Sequence, residues 1–210
     1  MFKGIIKILL LCIIIIIIFS NCVNIKSKYT TPKFYTIQQA PLNNSIKTKI
    51  DKNIFIKQFS ISGELETNRI ITFDGNKLQY HNYHLWALSL DELLTEYTYN
   101  RFSSYNIFTK GVVTSIFSLS PDYILECKTN TFNIANSNQE NSVDIVLTVH
   151  LYKYDKEIMD YQICYYNKYS KKDTITTFSL EKMTVIIGNI MSEIVDNILQ
   201  DIIQNIISIK

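Results

Sequence analysis

The chain has 210 residues, 47% of them hydrophobic, with 21 Lys and Arg against 19 Asp and Glu. That is enough apolar material for the core of one ordinary domain, and a formal net charge of +2 gives no electrostatic reason to bind nucleic acid. Ile, Asn, Lys and Tyr are abundant while Gly and Pro number only 5 and 3, a pattern like that of an AT-rich genome, so single Tyr and Asn residues carry less functional weight than usual.

Lys3 and Lys7 belong to a short positive head, an uncharged apolar run follows from Ile8 to Phe19, and Phe19-Ser20-Asn21-Cys22 closes it. Basic head, apolar core, small or polar residues and then cysteine is the plan of a bacterial lipoprotein signal peptide. It implies removal of residues 1–21 and a thioether-linked diacylglycerol on Cys22, with palmitate as the label for testing it. The run reaches only about 18 Å at 1.5 Å per residue, short of the roughly 30 Å of a bilayer core. Ile13 to Ile18 is β-branched throughout and apolar on every face, which disfavours a buried core helix. An ordinary secretory peptide cut beyond Asn21 is the second reading, because Phe19 and Asn21 stand where Leu and a small residue are usual. Cys12 follows the bulky Leu11 and makes a poor acylation site. Loss of Lys3 and Lys7 leaves 19 basic residues against 19 acidic ones, a formal charge of zero.

Residues 22–33 read as a lipidated tether, with the polar Val23–Lys33 able to span roughly 35 Å when extended. Residues 34–210 read as one domain. Phe34 to Ile37 begins an extended segment that Pro41 breaks, and Asn53 to Ile61 is a second strand candidate. A loop follows from Gly63 to Asn68. Arg69–Phe73 and Lys77–Tyr80 flank Asp74-Gly75-Asn76, a hairpin signal. Ser89 and Glu92 form a capping box, with Leu88 and Leu93 at the positions of a hydrophobic staple. Leu90, Leu93, Leu94 and Tyr97 keep helical spacing, and the helix is expected to reach Phe102 and stop before Tyr105-Asn106.

Beyond it, Tyr123, Leu125 and Cys127 alternate with more polar neighbours. Val143, Ile145, Leu147, Val149 and Leu151 alternate cleanly and give the strongest strand signal in the chain. Asn133 to Asn141 reads as a hairpin loop. Asp155-Lys156 turns into a strand from Ile158 to Tyr166, with Met159, Tyr161, Ile163 and Tyr165 on one face. Lys168 to Asp173 reads as another loop. The last element is a helix from Leu180 to Ile207, with Met183, Ile187, Ile190, Ile194, Ile198, Ile202 and Ile206 as its apolar stripe. Asn189, Glu193, Asp196, Gln200 and Gln204 line its polar side, too acidic for a membrane-surface helix. The expected fold is α+β, an antiparallel sheet with two amphipathic helices on one face.

The sequence offers little to catalysis. His81-x-x-His84 lies before the helix cap, in extended or turn structure, where the helical argument for paired metal ligands fails. Asp74 is explained by turn chemistry, and Asp91 and Glu92 by the helix N-terminus. Neither a Ser/His/Asp set nor a Gly-rich phosphate loop has its local context, and no cofactor is implied. Cys127 and Cys164 fall in strand candidates in a compartment that permits disulfides; a bridge and two free thiols both remain open.

Phe34-Tyr35-Thr36-Ile37, Arg69, Tyr80 and Trp86-Ala87-Leu88-Ser89-Leu90 occur in the order and spacing of a known family. The chain resembles the ABC-type transport auxiliary lipoproteins, the PqiC-like components of MCE lipid-transport systems, over roughly residues 22 to 207. Ser89 stands where that family's motif usually has proline, and supplies a side-chain cap instead. The resemblance implies a lipidated cysteine, a first strand, a Trp-containing motif opening a helix, further strands and a long final helix. It implies a non-catalytic docking or structural subunit at the periplasmic face of an envelope membrane, the outer one since Val23 and Asn24 lack the retention Asp. Its partners would be an MCE-domain protein, a permease and a cytoplasmic ATPase, with homo-oligomers also open. Trp86 reads first as a core aromatic, and Arg69 and Tyr80 as strand residues or partner contacts. An unrelated envelope lipoprotein serving as assembly or scaffold factor, and a direct lipid carrier, are the alternatives.

Overall fold

The computed structural model of the protein describes residues 30–42, 46–61, 63–115, 120–137 and 140–208. The expected signal peptide, Cys22 and the expected tether as far as residue 29 lie outside the described residues. Among those described, no helix is long and apolar enough to cross a membrane.

Eight strands join one sheet: β1 (Lys33–Tyr35), β2 (Ile54–Ile56), β3 (Arg69–Asp74), β4 (Lys77–Trp86), β5 (Val112–Val113), β6 (Tyr123–Asn136), β7 (Asn141–Asp155) and β8 (Asp160–Thr174). Among the described residues two long helices accompany the sheet, α1 (Leu90–Tyr105) between β4 and β5 and α2 (Leu180–Ser208) after β8. The sheet is mostly antiparallel, through β3–β4, β6–β7 and β7–β8. The expected antiparallel sheet is met in its larger part, while β1–β4, β2–β5, β2–β6 and β3–β6 are parallel. The reason is topological. The chain leaves β2, runs through β3, β4 and α1, and returns beside β2, a crossover that brings strands back in the same direction.

β7 is the centre of the architecture. Its side chains at Val143, Ile145, Leu147, Val149 and Leu151 are fully buried, and Leu125 and Cys127 on β6 continue the same face. This inner face belongs to one core with the stripe of α2, in which Met183, Ile187, Ile198 and Ile202 are also fully buried. α2 lies along β7 and β8. At 1.5 Å per residue it measures about 44 Å, close to the roughly 50 Å of a fifteen-residue strand, so one helix covers nearly the whole length of the hairpin. Its isoleucines are poor helix formers in isolation, and packing on the sheet stabilises it. Each such side chain contributes roughly 1.5–3 kcal/mol when fully buried.

Three elements depart from expectation. The 133–141 loop is short: β6 continues to Asn136, pairing Ile134 with Val143 and Asn136 with Asn141. Lys168 to Asp173 is strand, paired with β7 from Thr148 back to Val143. Its lysines hid the pattern because they lie on an edge strand, where solvated charge is tolerated. Ile158 and Met159 are in the turn, and the face beyond it switches. Leu151 pairs with Tyr165 but Tyr152 with Ile163, so Cys164 is the extra residue of a bulge. Tyr161 and Ile163 therefore share the outer face with Tyr154 and Tyr152, while Tyr165 and Tyr169 turn inward.

The β3–β4 hairpin forms around a two-residue loop, Asp74 facing Lys77, with Gly75 at φ 57°, as a II′ turn requires. β4 continues past Tyr80 to Trp86, with three residues bulged between its pairings to Ile70 and Arg69. α1 starts at the anticipated cap, where the Ser89 amide donates to the Glu92 carboxylate at 3.2 Å. It runs three residues further than expected and ends at Asn106, in the left-handed region at φ 49°. Leu93 is buried but Leu88 stays exposed, so the staple leaves its outer partner in water.

Candidate functional site

The motif that carries the family resemblance is a junction of elements. Trp86 ends β4 with 2% of its surface exposed, so it anchors the core and is closed to partners. Its amide donates to Asn68 O at 2.6 Å, and the Ala87 amide donates to Tyr35 O at 2.8 Å, which fastens β1 beside the helix cap. Tyr35 reaches two partners, Glu181 Oε1 at 3.3 Å and His84 Nδ1 at 2.9 Å. A carboxylate only accepts, so the phenol proton goes to Glu181 and His84 donates through Nδ1–H. Burial first, and then the Glu181 carboxylate, push the Tyr35 pKa up. His81 bonds Thr72 Oγ1 at 3.0 Å, and its ring meets that of His84 edge to face at 6.1 Å. Burial, with His84 as the second cause, lowers the His81 pKa. Arg69 and Tyr80 are both exposed, on β3 and β4, and the exposed Leu78 and Tyr83 accompany Tyr80.

A second constellation lies where α1 meets α2, outside the motifs read from the sequence. Arg101, in the middle of α1, is fully buried. Its Nε donates to Asp196 Oδ1 at 2.7 Å and its Nη2 to Asp196 Oδ2 at 2.6 Å, a bidentate pair between the two helices. The remaining donors reach the carbonyls of Ala40 (from Nη1) and Pro41 (from Nη2, 3.3 Å). Asp196 thus leaves the solvent face assigned to it and becomes half-buried. The Asp196 hydrogen bonds, against the opposing effect of burial, raise the Arg101 pKa still further. Beside the pair runs a satisfied chain of donors. The Ala40 amide donates to Ser192 Oγ at 3.2 Å, the Ser192 hydroxyl to Tyr97 Oη, and the Tyr97 hydroxyl to Gly188 O at 2.8 Å. Gln39 Nε2 donates to Tyr97 O at 3.1 Å. The signal that could have found it lies in two stripes: Tyr97, Arg101 and Tyr105 at i, i+4 and i+8, with one cation on a buried face, and Gly188, Ser192 and Asp196 at the same spacing in an Ile-rich helix.

The outer face of β7 and β8 is the third. His150, Tyr152 and Tyr154 on β7 stand opposite Tyr166, Ile163 and Tyr161 on β8. The His150 and Tyr166 rings are 5.0 Å apart and those of Tyr154 and Tyr161 5.2 Å. Tyr152 donates to Glu126 at 2.8 Å and Tyr161 to Pro121 O at 2.9 Å, so these rings are held against the sheet. Tyr166 is 60% exposed, and the hairpin tip adds Ile158 and Met159, the latter 79% exposed. Next to the tip a cleft of about 520 Å³ is lined by Lys52, Asp122, Tyr123, Lys153 and Cys164 among others. Lys52 pairs with Asp122 at 2.7 Å there.

Cys127 and Cys164 are free thiols on β6 and β8, with β7 between them, so the disulfide left open by the sequence does not form. Burial pushes both thiols up in pKa, Cys127 the more, which disfavours the thiolate form.

No protein-family model matches the sequence, and no curated protein matches it. Solved structures do resemble it. Protein XCC0632 from Xanthomonas campestris, of family DUF330, superposes with a TM-score of 0.66 at 11% identity, over 80% of this chain and 92% of that one. An uncharacterised protein gives 0.62 at 16% identity, over 82% and 99%. The hypothetical protein CT253 from Chlamydia trachomatis gives 0.50 at 8% identity, over 73% and 96%. At such identities the likeness is one of fold.

Proposed function

We propose that the protein is a non-catalytic lipoprotein, held by a lipid on Cys22 at the periplasmic face of a bacterial outer membrane. There it acts as a docking or structural subunit of an ABC/MCE-type system that moves phospholipids or other apolar molecules. An MCE-domain protein and a permease are its partners, and a separate cytoplasmic ATPase supplies the energy. In this reading both helices cover one face of the sheet, and the other face is left for a partner. Arg69 and Tyr80, exposed on the first hairpin, are the partner contacts carried over from the family; Trp86 is a determinant of the fold.

The observation that carries the reading is a filled interior behind an open aromatic face. A direct carrier needs an apolar cavity for its lipid. Here the space between sheet and α2 is taken by side chains without solvent exposure, among them Leu147, Val149, Ile187 and Ile198, while Tyr166, Ile163 and Met159 face solvent. The order of elements fits the one the family resemblance implies. Affinity purification of the full chain from its own envelope, with the MCE protein and permease identified by mass, tests the proposal. Recovery of both supports it; recovery of other envelope assembly proteins in their place supports the scaffold alternative. Labelled palmitate incorporation that disappears in Cys22→Ser tests the anchor separately.

A further inference from the structure

β8 is an open margin of the sheet: among the described residues it pairs with β7 alone. In an antiparallel ladder alternate residues turn their backbone groups toward one neighbour and then the other. On β7 the Asn141 carbonyl takes the Ile175 amide, toward β8, while the Tyr154 amide donates to Asp122 O, away from it. Odd-numbered residues of β7 therefore bond β8, and the residues of β8 opposite even-numbered ones turn their amides and carbonyls to the open side. Those are Tyr161 and Ile163 before the bulge and every second residue from Tyr166 to Thr174 after it. Their side chains lie on the outer face, so one set of residues supplies both the open edge and the aromatic surface.

Most of that edge is closed by the chain itself. The Tyr161 amide donates to Asp160 Oδ1 at 2.7 Å, the Lys168 amide to Asn167 Oδ1 at 2.8 Å and the Thr174 amide to Asp173 Oδ1 at 2.8 Å. Lys168, Lys171 and Lys172 add charge to the second half, a device that keeps edges from pairing. Between Tyr161 and Lys168 neither protection is present. Gln162 to Asn167 carries no charged residue and no proline, and among the described residues no side chain takes the amide of Ile163 or Tyr166. These two are also 56% and 60% exposed. The bulge at Cys164 bends the strand within this stretch, so what fits it is short.

We infer that the edge from Ile163 to Tyr166 takes up a short extended segment of a partner protein as an added strand. A second copy of β8 does not suit it, because two such strands laid along each other would oppose capped amides, lysines and bulges. Lys168 sets the charge of the occupant: its ammonium has no partner among the described residues, and it stands where the open stretch ends. The segment is therefore apolar against Ile163 and Tyr166, with a carboxylate at the end beside Lys168. This deepens the docking reading and rests on it for the identity of the partner, adding backbone bonds to the contacts of the outer face.

The test begins with a random peptide library panned on the full-length protein. Enriched peptides are expected to be apolar at alternate positions with Asp or Glu near one end. Synthesised and added in excess, they are expected to slow amide exchange of Ile163 and Tyr166 at least tenfold, read by NMR, with Leu147 and Val149 unchanged. Tyr166→Pro removes an amide that β7 does not use and is expected to weaken peptide binding at least tenfold, while Ser170→Pro, among the lysines, keeps it. Should Tyr166→Pro lower the melting temperature, Tyr166→Lys extends the charged guard across the open stretch and is expected to give the same loss. A library without enrichment, peptides that bind without slowing this exchange, or equal loss in Ser170→Pro overturns strand addition. Capture of the MCE-domain protein and permease with these two amides unprotected leaves the docking reading in place and removes this one; peptide protection with neither protein captured does the reverse.

Discussion

The two faces of β7 carry different kinds of residue for different ends. On the inner face Val143, Ile145, Leu147, Val149 and Leu151 are aliphatic and fully buried. On the outer face His150, Tyr152 and Tyr154 are aromatic and half-exposed; the rings of His150 and Tyr154 meet those of Tyr166 and Tyr161 on β8, and Tyr152 meets His150 on its own strand. Alternation along a strand is the ordinary consequence of a period of two, and it predicts polar residues outside. Aromatic residues there do something else: they keep a sheet soluble through hydroxyls and ring nitrogens while offering large, stiff contact area. The inner face explains why the domain folds, and the outer face leaves aromatic area such as Tyr166 in solvent.

Substitutions can pull the two faces apart. The largest effect is expected where the interior is polar. Asp196→Asn weakens the bidentate partner of the fully buried Arg101 and is expected to cost about 3–5 kcal/mol of unfolding free energy, read from a denaturant midpoint. Leu147→Ala, on the inner face, should cost roughly 2–5 kcal/mol through lost burial and the cavity left behind. On the first hairpin the effect depends on pH. Burial and His84 lower the His81 pKa from 6.5. Between the depressed folded value and 6.5 the unfolded chain binds more protons, so stability rises with pH in that window and falls as pH drops through it. The melting temperature should therefore decline as pH is lowered below 6.5, and His81→Gln should flatten that part of the decline. The smallest stability effect belongs to the outer face: Tyr166→Ala should change unfolding free energy by less than about 0.5 kcal/mol.

Much of the fold was legible in the sequence, and the failures have physical causes. The five alternating residues of β7 and the stripe of α2 were readable because burial on one side leaves a clean period. The cap at Ser89 was readable because its chemistry is local. Strand β8 reads as strand and then loop because its second half, as an edge, is free to carry Lys168, Lys171 and Lys172, and because the bulge at Cys164 shifts the phase of its pattern. Strands β1 and β2 overlap the expected segments Phe34–Ile37 and Asn53–Ile61 but are shorter, and β5 pairs over two residues, too short for periodicity to register. The parallel pairings depend on a crossover that no local signal announces. Of the site residues, Trp86 takes the core position favoured for it, and Arg69 and Tyr80 are exposed where contacts would need them. Arg101 and Asp196 were missed because each looks like solvated charge on its own helix, and only the packing of α1 against α2 brings them together.

If the protein is a docking subunit, its open aromatic face carries the interaction. Quantitative capture of the MCE-domain protein and permease by the full-length protein reads this out, wild type against an Ile163→Ser, Tyr166→Ser double variant at two exposed positions, with the melting temperature of each recorded. The wild type should retain both partners, and the variant should melt as the wild type does but lose most of its capture. Equal capture by the two proteins, or failure of the wild type to retain either partner, would rule out docking through this face.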